Sequence, residues 1–333
     1  MKISVIICTY TEKRWDTLVA AITSVQQQNM SPQEIIVVSD NNPALAARLR
    51  AQFTGITVAE NNSMRGISAT RNVGIALASG DILAFIDDDA IANKDWLSQV
   101  ARRYEHPCVL GVGGNVLPAW TGQRPHWFPE EFDWVVGCSY RGLPQKARPV
   151  RNFIGCNMSF RREVFSIVEG FHDELGRVAA HPVGCEETDL CIRIGKHWPD
   201  GILLYEPQAV VRQVVPAIRE NWRYFLSRCF FEGRSKAHLA RLVGSRAGLS
   251  SERRYTLRTL PSGMLLGLYD TVARHNWYGI ARASAILVGL LSTTMGYLAA
   301  SAGPDKLAKN SQGNHEDHST RINLMIRRGE GGG

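Results

Sequence analysis

Ile82 to Ile86 is an unbroken apolar run that empties into three consecutive carboxylates, Asp87, Asp88 and Asp89. A buried strand that ends in acid at a loop is where an open α/β sheet binds its ligand. Three adjacent like charges raise one another's proton affinity unless a cation neutralises them. The pattern therefore suits a hard divalent ion such as Mg²⁺ or Mn²⁺, which would in turn carry a diphosphate. A solvated turn or a helix start, which Asp caps well, is the other explanation of such a triplet.

The preceding segments supply the rest of a sheet. Ile3 to Cys8 is rich in β-branched residues and ends in Thr9-Tyr10-Thr11. It is too short for a transmembrane helix and lacks a secretory cleavage pattern, so it reads as the first, central strand. Leu18, Ile22 and Val25 recur at helical spacing, and Glu34 to Asp40 is a second buried strand, giving a βαβ start with a right-handed crossover. Asp40-Asn41-Asn42-Pro43 also fits an ordinary Asx turn. Ile56 to Ala59 completes a parallel sheet. Between it and the triplet, Ser68 is expected to cap a helix that buries Val73, Ala76 and Leu77 and stops at Gly80 in the left-handed region.

The stretch from Arg65 to Ala90, with Gly66 followed by Arg71-Asn72 on a helix, then a strand, then the acidic triplet, resembles the nucleotide-sugar half of the family 2 glycosyltransferases. The resemblance covers about residues 1 to 240. It implies a GT-A-like α/β nucleotide-sugar fold, Rossmann-like, with a mixed, mostly parallel sheet and a helical C-terminal extension. It further implies that Asp87 and Asp89 flank the metal and the diphosphate, that Asp88 belongs to the same group, that Thr9 and Tyr10 lie along the nucleotide with Arg65 and Arg71 nearby, and that Asp40 accepts from a uracil ring.

A second constellation lies downstream. Asn152 to Arg162 reads as a strand whose Gly155 allows close backbone approach, and Gly184-Cys185-Glu186-Glu187 opens a helix with Leu190 and Ile194 towards the core. Acid in a first helical turn is also favoured by the helix dipole alone. In the family this order, Gly-x-x-Asn-x-x-x-Arg and then an acidic pair, belongs to the acceptor side, and the second acid is the catalytic base. By that resemblance the base is Glu187, with Glu186 its helper, although glutamate replaces the family's aspartate. A histidine that often completes the metal site falls near Gln213 in this chain. Either Gln213 supplies an amide oxygen, or aspartate and diphosphate hold the metal alone. Arg161 and Arg162 are either phosphate clamps or a surface pair.

Composition bounds the remaining choices. At 333 residues and 44% hydrophobic, the chain can bury a large core. Seven cysteines without Cys-x-x-Cys spacing give neither a disulfide framework nor a zinc site, and they suit a reducing cytoplasm. Between Pro216 and Leu260, ten Arg and Lys stand against three Glu, a difference equal to the whole formal net charge of +7. Such a stretch faces nucleic acid, anionic lipid or a phosphate-bearing acceptor, or is a solvated helical face, and no nucleic-acid motif accompanies it. The aromatic segment around Trp120, Trp127, Phe132, Trp134 and Tyr140, broken by prolines, is either an acceptor-binding loop or a small separate core. Together with Glu232 to Lys236 it resembles family members that extend polyprenyl-phosphate-linked or cell-surface glycans. Ala283 to Gly303 is a run of 21 uncharged residues that suits a helix on or partly in a membrane, or one buried in the core.

The expected organisation is a nucleotide-sugar half over 1–110, an acceptor half carrying the base over 111–215, a basic, membrane-associating helical region over 216–303, and a disordered tail over 304–333. The expected activity is inverting transfer of a hexosyl or hexuronosyl group from a nucleoside-diphosphate sugar, a UDP-sugar first, to a glycan or polyprenyl-phosphate-linked acceptor at the cytoplasmic face of the cell membrane. The competing activities are a sugar nucleotidyltransferase and a non-catalytic basic protein that binds polyanions or lipid.

Overall fold

The computed structural model describes residues 1–172, 184–244 and 254–302. The expected tail over 304–333, Gly303, and the basic residues Arg246 and Arg253 lie outside them. Among the described residues, nine strands form one mixed sheet. The first half of the chain contributes β1 (Ile3–Thr9), β2 (Glu34–Asp40), β3 (Thr57–Asn61), β4 (Ile82–Asp87) and β5 (Ala90–Ala92). The second half contributes β6 (Val109–Trp120), β7 (Arg148–Pro149), β8 (Asn157–Arg161) and β9 (Ile202–Val215). Their order is β3-β2-β1-β4-β8-β6-β9-β5, with β7 pairing β9 off this path. β3, β2, β1 and β4 are parallel, and β8 runs against both β4 and β6. The boundary expected near residue 110 falls inside β6, so the two halves share a single sheet.

β1 is buried on both faces, as a strand between two helical layers must be. Ile3, Val5 and Ile7 pack with α1 (Trp15–Gln26), α2 (Pro43–Gln52) and α4 (Trp96–Arg103). On the other face Ile6 packs with α3 (Ile67–Leu77), α5 (Arg162–Val168) and α6 (Glu186–His197). The period of two in the strand thus sorts its side chains between two cores.

α3 departs from the expected geometry. It begins two residues earlier, with Gly66 as N-cap, and it buries Ser68, Ala69, Thr70, Arg71 and Gly74, while Val73 is only partly buried and Ala76 and Leu77 are exposed. A Cβ at Gly74 would stand 2.5 Å from Ile6 Cγ2, so this bare position sets the face that meets β1. The helix ends at Ala78 in extended conformation. Gly80 is needed for a different reason from the one expected: a Cβ there would meet the Ser4 backbone nitrogen at 2.7 Å.

β8 is shorter than the run expected from Asn152, and Gly155 lies in the loop before it. Asn157 opens the strand and donates from Nδ2 to the carbonyls of Asn115 (3.1 Å) and Ala209 (2.9 Å), while Oδ1 accepts from Trp96 Nε1 (2.9 Å). Those carbonyls flank the register break between β6 and β9, so a fully satisfied buried amide holds the sheet where its regular pairing is interrupted.

The C-terminal helices are α7 (Trp222–Val243), α8 (Leu260–Ala273) and α9 (Tyr278–Ala302). α7 and α9 meet backbone to backbone: a Cβ at Gly233 would lie 1.9 Å from the Thr293 carbonyl oxygen, and one at Gly296 equally close to that of Phe230. Asp270 locks the turn between α8 and α9 by accepting from Arg274 (3.1 Å) and Arg282 (2.6 Å). The aromatic segment forms a 3₁₀ turn over Glu130–Val136, and Phe128, Phe132, Phe225, Cys229, Leu260 and Ile286 all belong to the principal core. It is therefore not a separate core but part of the seam between sheet and helices.

Candidate active site

Apart from Arg161 and Arg162, one cavity of about 680 Å³ gathers the residues singled out from the sequence as donor-binding, metal-ligating or catalytic. Thr9 and Tyr10 follow β1, Asp40 ends β2, and Asp87 ends β4, so these groups stand at the carboxyl ends of adjacent parallel strands. Asp88 and Asp89 occupy the turn into β5. Arg65 and Arg71 come from the start of α3 and the residues before it, Glu186 and Glu187 from the first turn of α6, and Gln213 from β9 beside the triplet.

The triplet is not three bare charges. Arg14 Nη1 lies 2.8 Å from Asp88 Oδ1 and 3.3 Å from Asp89 Oδ2, and Arg219 Nη2 is 3.8 Å from the latter. Thr9 Oγ1 donates to Asp88 Oδ2 at 2.8 Å. Burial pushes the Asp88 carboxyl up to about 6 even with Arg14 beside it. Two guanidinium groups thus already offset much of the repulsion from which a cation was inferred. Asp87 is the most open of the three, with its side chain 36% exposed. Gln213 donates its amide nitrogen to Asp89, while its Oε1 is buried with no hydrogen-bond partner. Among the described residues no three of His, Cys, Asp and Glu converge to hold an ion by themselves. The donor set is nevertheless all hard oxygen, Asp87, Asp89 and the orphaned Gln213 oxygen, which fits Mg²⁺ or Mn²⁺ completed by water and phosphate.

Asp40 accepts from Asn61 Nδ2 (2.8 Å), Asn41 Nδ2 (3.0 Å) and the Gly66 backbone N–H (3.1 Å), which ties the end of β2 to the start of α3. Arg71 is buried, and its guanidinium is engaged within the protein. It pairs with Glu186 Oε1 (2.9 Å), approaches Asp87 Oδ1 (3.6 Å), donates to the Gly155 carbonyl (3.2 Å) and lies over the Phe171 ring. One side chain therefore bridges the strand that carries the acidic triplet and the helix that carries the acidic pair.

α6 begins from Cys185, whose φ of 81° is left-handed, an unfavourable backbone for a residue with a side chain. That turn aims both glutamates at the cavity. They differ in partners. Glu186 is held by Arg71, whereas Glu187 is reachable from the cavity yet enclosed by protein, and burial together with the Glu186 charge pushes its carboxyl up to about 8. Cys185 and Cys191 are buried thiols, and burial raises both above the ordinary thiol range, as suits inert packing.

Arg161 and Arg162 do not border the cavity. Arg161 donates to the carbonyls of Val109 (2.8 Å) and Tyr104 (2.9 Å), a structural tie with no fork left for a phosphate. Several cavity residues carried no sequence signal of their own. Arg14 is one basic residue among many in an early helical turn. Tyr255 is another: it completes an aromatic wall with Phe132, Trp134 and Tyr140 of the segment already singled out in the sequence, over a hundred positions away. Arg228 and Lys236 also reach the cavity, and their spacing of eight on one helix was a usable clue.

Comparisons with known proteins bear on the family and the fold. The model of the family described as glycosyl transferase family 2 matches residues 4–168. A glucosyl-dolichyl phosphate glucuronosyltransferase of Haloferax volcanii is 37% identical over 240 residues, covering 71% of this chain and 76% of that protein. The succinoglycan biosynthesis protein ExoM of Rhizobium meliloti is 26% identical over 307 residues, covering 87% of this chain and 93% of that one. Among solved structures, a mannosyltransferase of Pyrobaculum calidifontis, determined with GDP-Man and Mn²⁺, has the same GT-A-like fold at a TM-score of 0.53 and 16% identity, over 88% of this chain and 86% of that one. By identity and coverage at the level of the Haloferax protein, the chain belongs to the family 2 glycosyltransferases.

Proposed function

We propose that this glycosyltransferase moves a hexosyl or hexuronosyl group from a nucleoside-diphosphate sugar, a UDP-sugar in the first instance, to a hydroxyl of a polyprenyl-phosphate-linked or other glycan acceptor, with inversion at the anomeric carbon. The observation that carries this is the shared cavity: Glu187, with its raised proton affinity, faces the same space as Asp87 to Asp89. The names of the relatives support a lipid-linked or cell-surface glycan acceptor, since one acts on glucosyl-dolichyl phosphate and another serves succinoglycan biosynthesis.

Asp40 and Tyr10 line the end of the cavity suited to the base and ribose, and Asp87, Asp89 and Gln213 the part suited to the diphosphate. A bound Mg²⁺ or Mn²⁺ there would offset the charge that accumulates on the departing diphosphate. Arg14 and Arg219 keep Asp88 and Asp89 oriented and add positive charge on the same side. Glu187 takes the proton of the acceptor hydroxyl as the new glycosidic bond forms and the bond to the diphosphate breaks. Arg71 holds Glu186 as an ion pair, and the neighbouring Glu186 charge in turn keeps Glu187 basic enough for that task. Phe132, Trp134, Tyr140 and Tyr255 give the acceptor an aromatic wall on which sugar faces stack.

The third part of the proposal is docking on an anionic membrane surface, on its cytoplasmic side. α9 is long and apolar enough to cross a membrane by length and composition, and only 28% of its most apolar window is buried. Leu287, Leu291, Met295 and Leu298 form an exposed stripe on α9, and Leu265, Tyr269 and Val272 do the same on α8. An apolar hairpin exposed in this way, next to the basic stretch that begins at Pro216, suits a protein lying in the interface rather than spanning it.

Purified full-length protein incubated with a panel of nucleotide sugars, Mg²⁺ or Mn²⁺ and a membrane lipid extract tests the activity. Release of free nucleoside diphosphate, together with sugar appearing in the lipid fraction, is expected for one donor. Release of pyrophosphate, or of no nucleotide product from any donor, would contradict the proposal.

A further inference from the structure

The acidic turn carries its own counter-charge. Asp88 and Asp89 share Arg14, Asp89 also faces Arg219, and Arg71 approaches Asp87, so three guanidinium groups stand against three carboxylates. Arg71 is shared with Glu186 and counts only in part towards the triplet. The other oxygens of the buried pair are engaged as well, Asp88 Oδ2 by Thr9 and Asp89 Oδ1 by Gln213. A divalent cation that entered this turn alone would meet oxygens already in use and guanidinium charge beside them, where like charges repel.

The two arginines on Asp89 differ in freedom. Arg219 is only 9% exposed and also donates to the Val136 carbonyl at 3.4 Å. The Arg14 side chain is 29% exposed and borders the cavity, and its guanidinium lies 5.4 Å from the centre of the Tyr10 ring. Tyr10 is itself exposed and stands just after β1, at the end of the cavity suited to the nucleotide. The backbone of Arg14 is held: it closes the 3₁₀ turn Glu12–Arg14, whose N-cap Thr11 accepts from the Lys13 N–H at 3.3 Å, and its carbonyl accepts from Thr17 Oγ1 at 2.9 Å. A long side chain on a fixed base changes partners by rotamer alone, and a guanidinium fork matches phosphate as well as carboxylate.

We propose that Arg14 is a displaceable counter-ion of the acidic turn: it holds Asp88 and Asp89 while the cavity is without donor, and it turns to the diphosphate when donor and divalent cation arrive together. The idea rests on the reading of the cavity as a site for a nucleoside diphosphate and a metal, and it adds that the cation binds tightly only in company with the diphosphate. Arg219, the more enclosed of the two, stays on Asp89 throughout.

Equilibrium dialysis of Mn²⁺ against the full-length protein tests this, without nucleotide, with UMP and with UDP, each against a protein-free cell holding the same nucleotide. Wild type should bind Mn²⁺ about a hundredfold more tightly with UDP than without, and UMP, with its single phosphate, should reproduce little of that gain. Arg14→Gln should bind Mn²⁺ alone about tenfold more tightly than wild type, because one opposing charge is gone, and its gain from UDP should shrink by about the same factor. Arg14→Lys keeps the charge and should restore weak binding of Mn²⁺ alone, a rescue that a merely structural arginine would not show. Equal Mn²⁺ affinity with and without UDP, in a wild type that binds UDP, would overturn the proposal. So would Arg14→Gln that binds Mn²⁺ alone no more tightly than wild type. The first of these outcomes needs no variant and decides the matter if Arg14→Gln unfolds, which thermal melting would reveal. Should no nucleoside diphosphate bind, the donor reading itself fails, and the comparison of Arg14→Gln with wild type in the absence of nucleotide still decides whether Arg14 holds the turn against a cation.

Discussion

The strand-borne half of the cavity and its helical half are built on opposite plans. At the strand ends each charged group has an assigned partner: Asp88 has Thr9 and Arg14, Asp89 has Arg14, Arg219 and Gln213, and Asp40 has three N–H donors. The helical half places a basic stripe inside and leaves large apolar side chains outside, among them Val272 at 78% and Leu265 at 67% exposure. The first plan suits a small, polar ligand whose shape is known to the site in advance. The second suits a ligand or surface that is itself amphipathic and supplies the missing apolar contact. Under the proposed function, donor recognition falls to the sheet and acceptor and membrane recognition to α7, α8 and α9.

The largest effect that would break this division is expected at the sheet. Asp89→Ala removes one oxygen donor and the partner of two arginines, so turnover should fall on the order of 10³-fold, and donor binding should lose its dependence on divalent cation. Nucleotide release and donor titration with and without chelator measure both. Undiminished turnover would remove the triplet from the chemistry.

A smaller change, about a hundredfold, is expected from pH alone. As the proposed base, Glu187 must be unprotonated to accept the hydroxyl proton, and its carboxyl is raised to about 8, so it is protonated below that value. The rate should therefore climb roughly tenfold per unit between pH 6 and 8 and level off above. A profile flat over that range would mean that another group is the base.

The helical half predicts an effect on location rather than chemistry. Replacing Leu265 and Leu291 together by serine should weaken association with anionic vesicles by roughly tenfold or more, given about 1.5–3 kcal/mol for each fully buried apolar side chain, with donor binding untouched. Flotation at low and high salt reads the difference. Wild-type protein that stays in solution at low salt would contradict membrane docking. The smallest effect is structural. Gly233→Ala puts a methyl group against the Thr293 carbonyl and should cost about 1–3 kcal/mol, whereas Gly195→Ala, in α6 with open space around it, should gain up to about 1 kcal/mol. Comparing the two melting temperatures isolates the α7–α9 contact.

The same contrast explains how much the sequence disclosed. Strand-borne features were legible because a buried parallel strand is a continuous apolar run and a polar residue marks its carboxyl end, as Thr9, Asp40 and Asp87 do. The face of α3 was misjudged because hydrophobic periodicity cannot anticipate that Gly74 must lie on Ile6 and that Arg71, a charged residue, is buried by its pairing with Glu186. The role of Arg161 was hidden for a similar reason, since backbone carbonyls that accept from a guanidinium leave no trace in composition. The helical half was legible only as charge and hydropathy. Which basic residues turn inward depends on how α7 is rotated, and close contacts at Gly233 and Gly296 fix that rotation. Arg241, counted with the basic excess, donates instead to the last carbonyls of α9.

Sheet and base helix are expected to act as one active site with separable duties, binding on one side and proton removal on the other. Glu187→Gln tests this division most directly, with donor affinity measured by titration and turnover by nucleoside diphosphate release on the same preparation, and Glu186→Gln alongside. The expected result is an unchanged donor dissociation constant and a turnover lowered by about 10²-fold or more, because only the deprotonation of the acceptor is lost. Full turnover in Glu187→Gln, with that same loss appearing in Glu186→Gln, would contradict it and assign the base to the residue that Arg71 holds.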